Sequence, residues 1–172
     1  MVKIGKTFIF CFDDHKNFSD DIKKRFSDTS RYSVISTTSK NDLLTFIRKE
    51  ADTNACKVVI IATYDSKEHL EMADHLAIEI KTINPDIGII LLVQGAKIEA
   101  VKKVIRFNVD AYIARNDNSI LRIHNTIKKL ISHRNLEINT KRRKLSLYVL
   151  LGFFLISLII LVISFLRMPE FF

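Results

Sequence analysis

Between Leu145 and Leu166 the chain reads LSLYVLLGFFLISLIILVISFL, 22 consecutive residues without a formal charge. At about 1.5 Å of rise per residue, a helix of that length crosses the roughly 30 Å hydrocarbon core of a bilayer. Its only polar side chains are Ser146, Tyr148, Ser157 and Ser164. Serine can bond back to a carbonyl one turn earlier, and Tyr148 lies near the end where headgroups would be. A globular core helix keeps a polar stripe, and this stretch is apolar on every face. Lys141, Arg142, Arg143 and Lys144 stand immediately before it, while only Arg167 and Glu170 carry charge after it. The positive-inside rule then places the preceding chain in the cytoplasm. The expected organisation is a globular part over 1–135, a basic juxtamembrane segment over 136–144, a transmembrane helix over 145–166 and a short external tail over 167–172. Gly152, Ser157 and Ser164 form no small-xxx-small ladder, so tight pairing of spans is not indicated.

The net charge of +8 needs the same division. Residues 1–133 carry 21 Lys and Arg against 17 Asp and Glu, and residues 134–172 carry 6 against 2. The globular part is therefore mildly basic, and the concentrated charge sits where an anionic lipid surface would meet it, at about 1 kcal/mol per residue. No basic stripe with interleaved aromatics marks the domain for nucleic acid. The two cysteines, Cys11 and Cys56, have no metal or redox spacing and read as buried reduced thiols. The amino-terminal run MVKIGKTFIFCFDDHK has too short an apolar core for a signal peptide.

The globular part alternates strand-like and helix-like segments. Thr7 to Phe12 (TFIFCF), Lys57 to Ala62 (KVVIIA) and Ile87 to Val93 (IGIILLV) are short continuous apolar runs, which suit strands buried on both faces of a parallel sheet. Tyr32 to Ser36 and Ala111 to Ala114 are weaker strands. Helices are expected over 18–26, 40–51, from Asp65 or Ser66 to about Ile83, over 97–107 and from Asp117 or Asn118 onward, each with apolar residues three and four apart. Ser39 and Asp42 have the spacing of a capping box, and Asn84-Pro85 ends the third helix. The last helix meets no proline or glycine before Gly152 and can run on toward the span. Five strands alternating with helices give an α/β, doubly wound, five-stranded parallel sheet.

This order, with an acidic pair after the first strand, resembles the receiver domain of bacterial two-component response regulators over about residues 6–133. PDIGIILLVQG (Pro85 to Gly95) looks like that family's fourth strand, and AVKKVIRFNVDAYIARND (Ala100 to Asp117) like its fourth helix and fifth strand. Receivers hold Mg²⁺ through an acidic pair at the end of the first strand, where Asp13 and Asp14 stand. Their phospho-accepting aspartate closes the third strand, where Ala62 stands. Their switch hydroxyl ends the fourth, where Val93 stands. Their lysine, followed by proline, ends the fifth, where Arg115 and Asn116 stand. The switch aromatic three residues earlier is matched by Tyr112.

A methyl group cannot serve as a phosphoryl acceptor, and Val93 has no hydroxyl for a phosphoryl oxygen. Arg115 keeps a cation of different reach and form from lysine. Asp65 is a candidate displaced acceptor, although a role as helix cap competes. Without a third carboxylate, Asp13 and Asp14 would bind Mg²⁺ weakly, and the alternative is an ion pair with Arg115. The resemblance therefore implies a pseudo-receiver.

Other chemistry is not legible. His69 and His75 are wrongly spaced to share a metal, Gly5-Lys6-Thr7 lacks the strand and loop of a phosphate-binding motif, and no Gly-x-Ser-x-Gly occurs. The expectation is a non-enzymatic interaction or regulatory module without cofactor or metal, tethered by a single span to the bacterial inner membrane with its domain in the cytoplasm. Its partners would be protein, in a membrane complex, and an anionic lipid surface; self-association stays open. The alternatives are a small membrane-anchored subunit whose span carries the contacts, and a phospho-receiver using Asp65.

Overall fold

The apolar runs pair as five parallel strands, because side chains that are apolar on both pleat faces need cover on both. In the computed structural model, which describes residues 6–13, 17–51, 53, 55–62, 67–94 and 108–167, the elements follow in the order β1 (Thr7–Phe12), α1 (Asn17–Arg25), β2 (Tyr32–Thr37), α2 (Lys40–Lys49), β3 (Lys57–Ala62), α3 (Lys67–Ile83), β4 (Gly88–Gln94), β5 (Ala111–Arg115) and α4 (Ser119–Arg167). The expected helix over 97–107 and the caps Asp65 and Ser66 lie outside the described residues. The chain divides into two units, Met1–Ile131 and Ser132–Phe172.

In the first unit the strand order is β2-β1-β3-β4-β5, all parallel. β3 lies at the centre, and its six residues are buried throughout. Strand alternation sends Val59 and Ile61 to a core shared with Leu43, Leu44 and Ile47 of α2 and Leu76 and Ile80 of α3. Val58, Ile60 and Ala62 face the other way, onto Phe18 and Ile22 of α1 and Ile123 and Ile127 of α4. Helices thus cover both faces, as a doubly wound sheet requires.

Local chemistry sets the element ends. Ser39 caps α2, its hydroxyl accepting from the Asp42 amide at 3.4 Å. The reciprocal half of the expected capping box comes from elsewhere: the Ser39 amide donates to the Thr37 hydroxyl at 3.0 Å. After α3, the Asn84 side-chain oxygen accepts from the Asp86 amide at 2.9 Å, turning the chain into β4. Lys81 then ties β4 to β5. Its ammonium donates to the Ile87 carbonyl at 2.8 Å and meets the Asp110 carboxylate at 3.0 Å, and the same carboxylate accepts from the Ile89 amide at 2.7 Å. Lys57, buried at the start of β3, donates to the carbonyls of Thr53 at 2.6 Å and Ala51 at 3.2 Å.

The second unit is helical from Ser132 to Arg167. Its Arg143–Ile160 stretch is long and apolar enough to cross a membrane, and none of it is buried. Tyr148, Val149 and Phe153 are among its exposed side chains.

Candidate functional site

In open parallel sheets, ligands bind beyond the carboxyl ends of the strands. The register fixes what this end of the sheet presents. Phe12 pairs with Ile61, so Asp13 leaves β1 beside the end of β3, where Ala62 stands. Ala62 pairs with Leu92, the next residue of β4 is Val93, and Val93 and Gln94 pair with Ala114 and Arg115. The edge therefore carries a carboxylate, a methyl group, an isopropyl group and a guanidinium in spatial order from β1 to β5.

Asp13 is buried, and its carboxylate accepts from the Phe18 amide at 3.2 Å. It thereby satisfies one of the orphan donors at the start of α1, where the helix dipole also favours a negative charge. Its own amide donates to the Thr37 carbonyl at 3.3 Å, holding the end of β1 against β2. The capping role went unread in the sequence; the available signal was an acidic residue just ahead of an amphipathic run. A cavity of about 30 Å³ lies beside it, lined by Cys11, Asp13, Ser19 and Ser36 to Thr38. That is room for ordered water, far below the several hundred Å³ of a small-molecule site. Burial pushes the Cys11 thiol up to about 12, so it is an inert lining group.

Ala62 is 4 % exposed and packs on the α1 and α4 side, whereas Val93 is fully buried on the α2 and α3 side. Neither offers a polar atom. Arg115 is half-buried at the end of β5. Tyr112 packs against the α2 and α3 core, and desolvation, followed by the nearby Asp74 carboxylate, raises its hydroxyl above the ordinary range. Asp14 and Asp65 lie outside the described residues. Among the described residues, no three His, Cys, Asp or Glu side chains gather as a metal-ligand set. Of the basic run, Arg143 and Lys144 are exposed on α4.

A second cluster was not foreseen. The His124 ring lies 5.4 Å from that of Phe26, which meets Tyr32 edge-on at 5.0 Å. Burial, then the charges of Lys128 and Arg25, lower the His124 pKa.

No protein-family model and no curated protein sequence matches the chain. Solved structures do. A response regulator receiver domain protein from Clostridium thermocellum is similar at TM-score 0.60 and 17% identity, over 77% of this chain and 98% of that one. A CheY-like protein from Pseudomonas aeruginosa PAO1 is similar at TM-score 0.54 and 15% identity, over 73% and 99%. A protein named adenylate cyclase, from Rhodopirellula baltica, is similar at TM-score 0.62 and 16% identity, over 83% and 98%. At such identities the likeness establishes fold: the globular unit has the flavodoxin-like fold of response-regulator receiver domains.

Proposed function

We propose that the chain is a membrane-tethered pseudo-receiver, a regulatory module that acts by binding a protein partner and does no phosphoryl chemistry. The observation that carries this reading is the identity of Ala62. The register puts it beside Asp13, at the strand end where a receiver needs its acceptor carboxylate, and it offers a methyl group. Val93 and Arg115 at the neighbouring strand ends support the same reading, since the hydroxyl and the lysine of a working receiver are replaced together. The name of the adenylate cyclase neighbour describes that protein, and nothing in the described strand ends of this chain supplies nucleotide chemistry.

The tether is the Leu145–Leu166 segment. Its exposed apolar side chains suit lipid, and Lys141, Arg142, Arg143 and Lys144 suit the anionic cytoplasmic leaflet. The domain would then face the cytoplasm of a bacterial cell, with 167–172 outside. Protease treatment of intact cells tests the orientation: the region before residue 140 should survive, and its cleavage from outside would reverse the topology. Mild-detergent pull-down of the full chain, compared with a chain stopped at residue 140, tests where partners bind. Partners retained on truncation support the domain; partners lost support the alternative of a small subunit held through its span.

A further inference from the structure

The first unit has two distinct ends. The carboxyl ends of the strands carry Asp13, Ala62, Val93 and Arg115. The opposite end is where α4 leaves the unit, because Leu130, one residue before its boundary, stands against Gly88, the first residue of β4. That end is rich in exposed cations. Lys6 directly precedes β1, and the Arg31 carbonyl accepts from the Thr7 amide at 2.8 Å. The last turn of α1, which runs antiparallel to the strands, supplies Lys23, Lys24 and Arg25. A groove of about 360 Å³ joins Lys6 and Lys23 past Ser27, Thr29 and Tyr32. Around the other side of Phe26, the ring of His124, one turn before Lys128 on α4, stands 5.4 Å from the Phe26 ring, and Phe26 directly follows Arg25 of α1.

Acidic groups are present: two are engaged in ion pairs, and exposed Asp21, one turn before Arg25, offsets part of the charge. Asp28 pairs with Arg31 at 3.4 Å and Asp20 with Lys23 at 3.5 Å. Lys6, Lys24, Arg25 and Lys128 have no carboxylate within ion-pair distance among the described pairs, and all four are exposed.

We infer that this end of the receiver unit, through Lys6, Lys24, Arg25 and Lys128, is itself a docking surface for an anionic lipid bilayer. The occupant follows from charge and from chain connectivity. The chain leaves the unit at this same end and reaches the basic run Lys141 to Lys144 within a few helical turns. The short stretch between Ile131 and Lys141 tethers the unit close enough for these cations to reach the leaflet, and each one brought within a Debye length of it contributes about fivefold to the docked population. Docking would turn the strand end carrying Asp13 and Arg115 away from the lipid, leaving it accessible to a protein partner. The inference rests on the anchoring proposed above.

The test uses the full chain in nanodiscs of phosphatidylcholine alone or with added phosphatidylglycerol. A donor dye is placed through Thr29→Cys in a Cys56→Ser background, with an acceptor on lipid headgroups. Phosphatidylglycerol should raise energy transfer at Thr29→Cys but not at Asn116→Cys, which reports the opposite end. Lys24→Glu, Arg25→Glu and Lys128→Glu together should lower the docked-to-undocked ratio by more than about a hundredfold, three cations lost at about fivefold each with repulsion added. Raised salt should do the same to the unsubstituted chain, which guards against a folding defect in the triple variant. Insertion without a phosphatidylglycerol effect, or an effect indifferent to both salt and charge reversal, would overturn the inference and leave an acidic protein as the occupant. Failure to insert would overturn the anchoring, and this inference with it.

Discussion

The Asp13 carboxylate accepts a 3.2 Å hydrogen bond from the Phe18 amide, five residues on, and so fastens the start of α1 to the end of β1. The residue that a receiver would use toward Mg²⁺ thus has a structural task that survives without the metal. Asp13→Ala should lower stability by about 1–2 kcal/mol, the cost of losing a cap and leaving a buried amide unpaired. Asp13→Asn, which keeps an acceptor oxygen, should cost less. Urea unfolding of the detergent-solubilised chain measures both; equal costs would mean that the charge, not the hydrogen bond, matters.

A Cβ added at Gly88 would lie 2.8 Å from Leu130 Cδ1. That atom is the end of a side chain that can rotate away, so Gly88→Ala should cost only about 1 kcal/mol. Gly88→Val should cost about 1–3 kcal/mol by overpacking. Leu130→Ala should relieve part of the valine penalty, giving a non-additive double-mutant cycle. Additive effects would show that α4 does not press on β4 at this point.

Burial raises Cys11 to about 12, with Lys23 opposing the shift and Asp13 adding to it. At pH 8 only on the order of one in ten thousand of these thiols is ionised. Cys56, half-buried at the start of β3, should therefore take a maleimide first, with Cys11 modified only on unfolding. Intact mass against time reads this directly. The native state holds the Cys11 proton more tightly than the unfolded chain does. Its contribution is complete below the ordinary thiol range and is lost as pH rises toward 12, so alkaline unfolding should be eased by this group. Cys11→Ala should remove that alkaline slope.

The sheet was legible because its signal is hydrophobic pattern. KVVIIA, with four β-branched residues in a row, reads as a central strand, and β3 occupies Lys57–Ala62 as that run predicts. Asn84-Pro85 and Ser39 marked boundaries through turn and cap chemistry that acts within a few residues. What stayed hidden depends on long-range approach. Lys81 and Asp110 are 29 residues apart and meet only because β4 and β5 pair. Likewise, nothing in sequence spacing tells Phe26 that His124 will be its neighbour. The candidate site lies between these cases: the strand ends could be aligned from the sequence, but the hydrogen bond that occupies Asp13 needed α1 in place. The role of Asp65 and of the segment 97–107 belongs to residues that the structure does not describe.

The central claim is that this receiver fold takes no phosphoryl group, because Ala62, Val93 and Arg115 remove the nucleophile, a hydrogen-bond donor and the usual cation together. Intact-mass measurement of the full chain after incubation with acetyl phosphate and Mg²⁺, beside the Asp65→Ala variant, tests it most directly. Neither protein should gain a phosphate-sized mass. A gain in the unsubstituted chain that disappears in Asp65→Ala would contradict it and make Asp65 a working acceptor.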